Sequence, residues 1–254
     1  MKHDALILSC DTATSNCSIA LTRGGFENCQ VIASVSLNSG ITHSRRLLGS
    51  IEWLLYESSL TLDDVSAIAV GLGPGSFTGL RISMATAKGL CQGSDKPLIG
   101  VSSLDAIAAS VVASEKLICA VLDARKKEVY GCFYRCSGKD IARPCSEPFV
   151  LQPENLAQQI LEPVVLVGDG VDAYAAVWTD VLGNKCEKAT NRQKFPAADI
   201  IGFLAAEKYY NNDFLPVDSA VPAYLRASDA ELSLVRPPKE FQVVTDVKTK
   251  SNND

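Results

Sequence analysis

The sequence predicts an α/β protein made of two similar halves, each a mixed sheet with flanking helices. Three observations predict it. An apolar run ending in aspartate occurs twice, at Ala5 to Asp11 and at Leu117-Ile-Cys-Ala-Val-Leu-Asp123. Each run is followed by a hairpin partner, Ser18 to Thr22 in the first case and Glu128 to Arg135 in the second. In each half a later apolar strand runs into a glycine turn, Gly71-Leu-Gly-Pro-Gly75 after Ala67 and Gly168-Asp-Gly170 after Val164.

The elements between these landmarks follow in order. Arg23-Gly24-Gly25 turns the chain into a third strand, Val31 to Leu37. Thr42 can cap a helix running to Ser58, with Leu47, Leu48, Ile51, Leu54 and Leu55 on its apolar face. After the glycine turn a second helix covers Thr78 to Leu90, and a short strand covers Pro97 to Val101. Ser102 or Ser103 can cap a helix through Ala113. In the second half a third strand is placed at Pro148 to Leu151, a helix from Pro153, and a last helix from Pro196 to Tyr210. The expected boundaries are 1–103 for the first half, 104–231 for the second, and 232–254 for a mobile polar tail. This twice-used order is that of ribonuclease-H-like, actin-like halves, where a ligand sits in the cleft between them. A fold of this kind does not fix a function.

Bulk composition narrows the classes. Net charge is −5, which argues against independent nucleic-acid binding, since that rests on Lys and Arg neutralising phosphates. The nine cysteines are an odd number, and none forms a Cys-x-x-Cys pair; most lie in apolar runs, as buried thiols of a reducing cytosol would. No secretory signal and no apolar run of membrane-spanning length is visible, so a cytoplasmic location is expected. With only His3 and His43, a zinc-hydrolase ligand set of the His-Glu-x-x-His type cannot be built.

The stretch from Ile68 to Leu90 carries the most information. A glycine-rich turn entering a helix is a ready anion site, because unpaired N–H groups point outward there. Asp11, Thr12, Gly73, Gly75, Ser76 and Thr78 are therefore the candidates for contact with a phosphate. Yet the spacing matches neither nucleotide fingerprint. The stretch has no Gly-Lys pair, and Ser76 or Thr78 stands where a dinucleotide loop needs its third glycine. The alternative is that Gly73, Gly75 and Gly79 serve backbone geometry, and that Asp11, Thr12 and Thr14 simply close the first hairpin turn.

The helix after the turn carries only two charges between Leu80 and Leu90, Arg81 and Lys88. Such a helix is sandwiched between its own sheet and a neighbouring helix, and a sharper reading adds a partner protein on the remaining face. Together with the preceding helix it supplies a candidate interface of Leu47, Leu48, Ile51, Trp53, Leu55, Leu80, Arg81, Met84, Ala87 and Lys88. In the second half, Asp123 with Arg125 reads as an acid–base pair or as an ion pair holding the hairpin. Lys126 and Lys127 read as a solvated turn, and Arg226 as a clamp.

These motifs together resemble a known family. Asp11-Thr-Ala-Thr14, His43-Ser44, Gly71-Leu-Gly-Pro-Gly-Ser-Phe-Thr-Gly-Leu-Arg81, Asp123-Ala-Arg125 with Glu128-Val-Tyr130, Gly168-Asp-Gly170 and Pro222-Ala-Tyr-Leu-Arg226 occur in one order. They look like those of the TsaB family of bacterial tRNA threonylcarbamoyladenosine biosynthesis proteins, glycoprotease-like members of the actin superfold. The resemblance implies a non-catalytic scaffold and activator. Its catalytic paralogue, TsaD, transfers threonylcarbamoyl to the adenosine beside the anticodon of tRNA, and a small ATPase, TsaE, joins the pair. It also implies a homodimer when the chain is alone, tRNA contact only through the assembled complex, and no membrane. The paralogue holds a metal with a His-x-x-x-His pair; here the position four after His43 is Leu47, which cannot ligate. No catalytic residue, metal or cofactor is therefore expected, with room left for weak nucleotide binding in the cleft. The other reading is an ATP-dependent kinase or transferase of the same superfold, with Asp123 as general base.

Overall fold

The computed structural model describes residues 4–38, 43–137, 141–190 and 193–226. Thr42, the side chain of His43 and the tail at 232–254 lie outside the described residues. The first sheet begins with β1 (Leu6–Asp11), β2 (Cys17–Arg23) and β3 (Gln30–Leu37), followed by α1 (His43–Glu57), β4 (Ala67–Gly71), α2 (Phe77–Ser94) and β5 (Leu98–Val101). Its strand order is β3-β2-β1-β4-β5. The first three strands are antiparallel, and β1, β4 and β5 are parallel. That is the expected ribonuclease-H-like half.

α3 (Ser103–Ala109) leads into the second half: β6 (Leu117–Arg125), β7 (Glu128–Arg135), β8 (Arg143–Pro144) and β9 (Phe149–Leu151). Then come α4 (Pro153–Gln159), β10 (Val164–Val167), α5 (Gly170–Ala173), α6 (Ala175–Leu182), β11 (Cys186–Lys188) and α7 (Ala198–Tyr210). The second sheet runs β11-β10-β6-β7-β8, with β9 also on β7. β6 and β7 are antiparallel, whereas β6, β10 and β11 are parallel, so the plan of the first sheet is repeated. The two-half α/β architecture read from the sequence is thus the observed one.

Several bounds differ from expectation, each for a local reason. α2 starts at Phe77, because the Ser76 side chain accepts from the Gly79 N–H, and it continues to a left-handed Asp95. α3 stops at Ala109 rather than Ala113: Ser110 caps it, and Ala113 takes a positive φ that no helix accommodates. The short strands β8 and β11 and the helices α5 and α6 carry too few residues for a clear period.

α7 is the larger surprise. It falls in the stretch assigned to the second half, yet it packs on the first sheet. Ile201, Leu204 and Ala205 join Ile7, Ala69 and Ile99 in one buried cluster. Its start is pinned there too: the Ala198 N–H donates to Ser18 Oγ at 2.9 Å, and Ser9 Oγ donates to the Ala198 carbonyl at 2.6 Å. The opposite face of the same sheet is covered by α1 and α2 through Leu47, Ile51, Leu54, Met84 and Ala87. Among the described residues no helix is long and apolar enough to cross a membrane.

Candidate functional site

Asp11 ends β1 inside the protein, 1% exposed. Its Oδ1 accepts from the Ala13 N–H at 2.8 Å, and its Oδ2 accepts from Ser103 Oγ at 2.7 Å. Burial pushes its pKa up to about 6, against the weaker pull of these two hydrogen bonds. Ser103 Oγ also accepts from the Gly73 N–H at 3.2 Å, which ties the glycine turn to the same carboxylate.

The glycine turn is docked on the β1–β2 turn. The Ser76 N–H donates to the Ala13 carbonyl at 2.6 Å, and Thr12 Oγ1 donates to the Gly79 carbonyl at 2.7 Å. A methyl group on Gly75 would run into the Ala13 carbonyl, and one on Gly79 into the Thr12 carbonyl. Gly75 is therefore required by close approach rather than by a positive φ, which in this turn belongs to Gly73 at +92°. Five of the six phosphate candidates, Asp11, Thr12, Gly73, Gly75 and Ser76, are brought together around Ala13, Gly79 and Ser103. Thr78 is exposed on the first turn of α2. Of the amides along the turn, those of Gly73, Ser76, Gly79 and Leu80 already have acceptors in Ser103, Ala13 and Ser76.

The second half repeats the device with different partners. Asp123 Oδ1 accepts from the Arg125 N–H at 2.8 Å, as Asp11 does from Ala13, and the Tyr174 hydroxyl donates to it at 3.2 Å. The Asp123 N–H donates to Asp169 Oδ1 at 2.9 Å; burial, reinforced by the Asp123 charge, raises the pKa of Asp169. Arg125 reaches Asp123 at 3.2 Å with its guanidinium largely in solvent, which makes an ion pair at the hairpin. Arg226 donates to Glu128 Oε2 at 2.8 Å and to the Ala124 carbonyl at 3.0 Å, the clamp expected of it.

The proposed partner face needs correction. Leu47, Ile51, Leu80, Met84 and Ala87 are buried inside the chain, at most 4% exposed. They lie on the side of α1 and α2 that the sheet uses, so they are not available to another protein. What α1 leaves outside includes three large apolar side chains, Leu48, Trp53 and Tyr56, 56%, 53% and 79% exposed, with the exposed Glu52 among them. On α2 the neighbouring exposed positions are Arg81, Ala85 and Gly89, with Leu55 and Lys88 half-buried at the margins.

One participant was not foreseen. The segment 214–226 straps the flank of α2. Leu215 bonds β5 through the Leu98 carbonyl at 2.8 Å, and the Ala223 N–H reaches the Leu72 carbonyl at 2.9 Å. Lys88 Nζ donates to the Asp218 carbonyl at 2.8 Å, and Arg81 Nε donates to the Tyr224 hydroxyl at 3.1 Å. Phe77 lies between Arg81 and Tyr224, 3.8 Å and 5.1 Å from them to its ring centre. The two charges of α2 are thus spent on its own strap. Only the Pro222-Ala-Tyr-Leu-Arg226 motif, at the end of that segment, gave a signal in the sequence.

Comparison with known proteins decides the family. A family model for TsaD, tRNA N6-adenosine threonylcarbamoyltransferase, matches residues 31–234. The Escherichia coli tRNA threonylcarbamoyladenosine biosynthesis protein TsaB is 34% identical over 227 residues, 87% of this chain and 94% of that one. The Bacillus subtilis protein of the same name is 30% identical over 235 residues, 92% of this chain and 99% of that one. The chain belongs to the TsaB family. A Pseudomonas aeruginosa protein with similarity to the peptidase YeaZ has the same fold at 28% identity and a TM-score of 0.71, covering 87% of this chain and 100% of that one. YeaZ from the same organism gives 26% identity and 0.69, with the same coverage. In this TsaB-family chain the residue four after His43, Leu47, is packed in the core of the first sheet. Among the described residues no three His, Cys, Asp or Glu side chains converge as a metal site would need.

Proposed function

We propose that this chain is a cytoplasmic, non-catalytic scaffold and activator in the addition of threonylcarbamoyl to the adenosine beside the anticodon of tRNA. It works with a TsaD-like catalytic paralogue and a TsaE-like ATPase, and pairs with itself when alone. It holds no catalytic metal and no cofactor of its own. The observation that carries this reading is the docked glycine turn. Four of its amides, those of Gly73, Ser76, Gly79 and Leu80, are bonded to the Ala13 carbonyl, Ser76 and Ser103, and Asp11 is buried beneath them. A turn and an aspartate occupied in this way support placing the chemistry on the partner. Similarity to relatives named for tRNA threonylcarbamoyladenosine biosynthesis supports the pathway.

The partner is held by the outer face of α1 and α2, with Leu48 and Trp53 at its centre and the small residues Ala85 and Gly89 allowing close helix approach. A homodimer and a heterodimer through one face must compete. The test is co-expression with the TsaD-like protein of the same organism, followed by size-exclusion chromatography and a tRNA modification assay. The expected result is a complex that modifies tRNA and a chain that, alone, does not. Stoichiometric metal and threonylcarbamoyl transfer by the isolated chain would refute it.

A further inference from the structure

The tip of the β6–β7 hairpin breaks a local rule. Arg125 pairs with Glu128 across the ladder, which leaves Lys126 and Lys127 as a two-residue loop. Arg125, Lys126 and Lys127 have φ of 61°, 55° and 62°, the only consecutive left-handed run among the described non-glycine residues. A two-residue loop with positive φ at both positions is the type that favours Asn-Gly, because a side chain beyond Cβ is crowded there. Here three long cationic side chains occupy the places where asparagine or glycine costs least. A departure of this kind from local preference marks function more often than packing.

The tip is also held rigid. Asp123 Oδ1 fixes the Arg125 N–H at 2.8 Å, and Arg226 grips both sides through the Ala124 carbonyl at 3.0 Å and Glu128 at 2.8 Å. Three exposed cations are thus presented at one point of a chain whose net charge is −5. We infer that Arg125, Lys126 and Lys127 form a contact for the phosphate backbone of RNA. The inference rests on the proposed role in tRNA modification. Three flexible cations at one point match the closely spaced charges of a phosphate backbone, and contacts to phosphate position RNA without selecting its sequence. The three residues include no apolar centre of the kind a protein interface carries, which favours a wet, salt-sensitive polyanion over an acidic protein.

The experiment compares the unaltered chain with the double variant Lys126→Asn, Lys127→Gly, each assembled with the TsaD-like paralogue and titrated with tRNA over a range of salt. The variant gives the loop the residues it prefers, so its melting temperature should be equal or higher, and its association with the paralogue unchanged. Its tRNA affinity should fall about tenfold, and the slope of log affinity against log salt should shrink by about 2. Equal affinity and equal slope overturn the inference. So does a variant that keeps RNA but loses the paralogue, which would make the tip a protein contact. Assembly is followed separately by size exclusion. If the unaltered chain does not assemble, the proposed function fails, and the same comparison on the chain alone at roughly 20 mM salt still decides the tip.

Discussion

The Ser103 hydroxyl donates to the Asp11 carboxylate at 2.7 Å while accepting from the Gly73 amide at 3.2 Å, so one side chain joins α3, β1 and the glycine turn. Among the described residues no salt bridge reaches the carboxylate in this chain of bonds. Its folded pKa of about 6 lies above the value of 3.8 expected of a free aspartate. The folded state therefore binds the proton more tightly, and ionisation in place costs stability. Stability should fall as pH rises from about 4 to about 6 and be level in this term above that, by at most about 3 kcal/mol. Asp11→Asn keeps an acceptor for Ala13 and should flatten that slope. Denaturant unfolding at several pH values checks it; an unaltered slope in the variant refutes the assignment.

A valine at position 75 has nowhere to go. The Ala13 carbonyl occupies the space its Cβ would take, and that oxygen belongs to backbone already bonded to Ser76. Gly75→Val should cost about 1–3 kcal/mol, read as a lower thermal midpoint, with association to the paralogue retained once the protein is folded.

The two faces of α1 can be separated by charge. Leu48→Glu and Trp53→Glu place a carboxylate on the exposed face and should leave melting within about 0.5 kcal/mol of the parent. Both the homodimer and the heterodimer should be lost, because the charge would be stranded in a helix contact. Met84→Glu puts the same group in the core, where Met84 is 4% exposed, and should unfold the protein instead. Sedimentation with circular dichroism distinguishes the cases; a dimeric Trp53→Glu chain would put the interface elsewhere.

Arg226→Gln removes the cation that spans the second hairpin. Both partners are partly exposed, 24% for Arg226 and 35% for Glu128, so solvent screening limits the loss to about 1 kcal/mol. The effect should be local. Hydrogen exchange of the amides near the β6–β7 tip should quicken while those of β1 and β4 stay protected.

What could be read from the chain and what could not divide along physical lines. The two aspartate turns were legible because each is a local pattern, an apolar strand that stops at a carboxylate and bends. The glycine turn was legible as a turn, but the sequence left open what fills it. Only the structure shows the Ala13 carbonyl accepting from the Ser76 amide there. On α1, Leu48 is as apolar as Leu47 and Ile51, so the sequence put all three on one face, and only the packing shows that Leu48 points away from the sheet. The strap at 214–226 has no period at all. Its order comes from single bonds to Leu98, Leu72, Lys88 and Arg81, partners more than a hundred residues away in sequence.

α7 returns from the end of the chain to close the first sheet, and this bears on synthesis. The strands and helices between Leu117 and Lys188 make a contiguous sheet with its own buried clusters, and they can fold as soon as they leave the ribosome. The first sheet, made earlier, must wait. Its face of Ile7, Ala69 and Ile99, shared early with Ala106 and Ala109 of α3, stays incompletely covered until Ile201, Leu204 and Ala205 have been translated, about a hundred residues after β5. At roughly 5–20 residues per second, that is a wait of several seconds or more with an apolar sheet partly uncovered. A chain halted after residue 197 should therefore carry a folded second half and a first half that binds chaperones, which pulse proteolysis of stalled nascent chains can resolve.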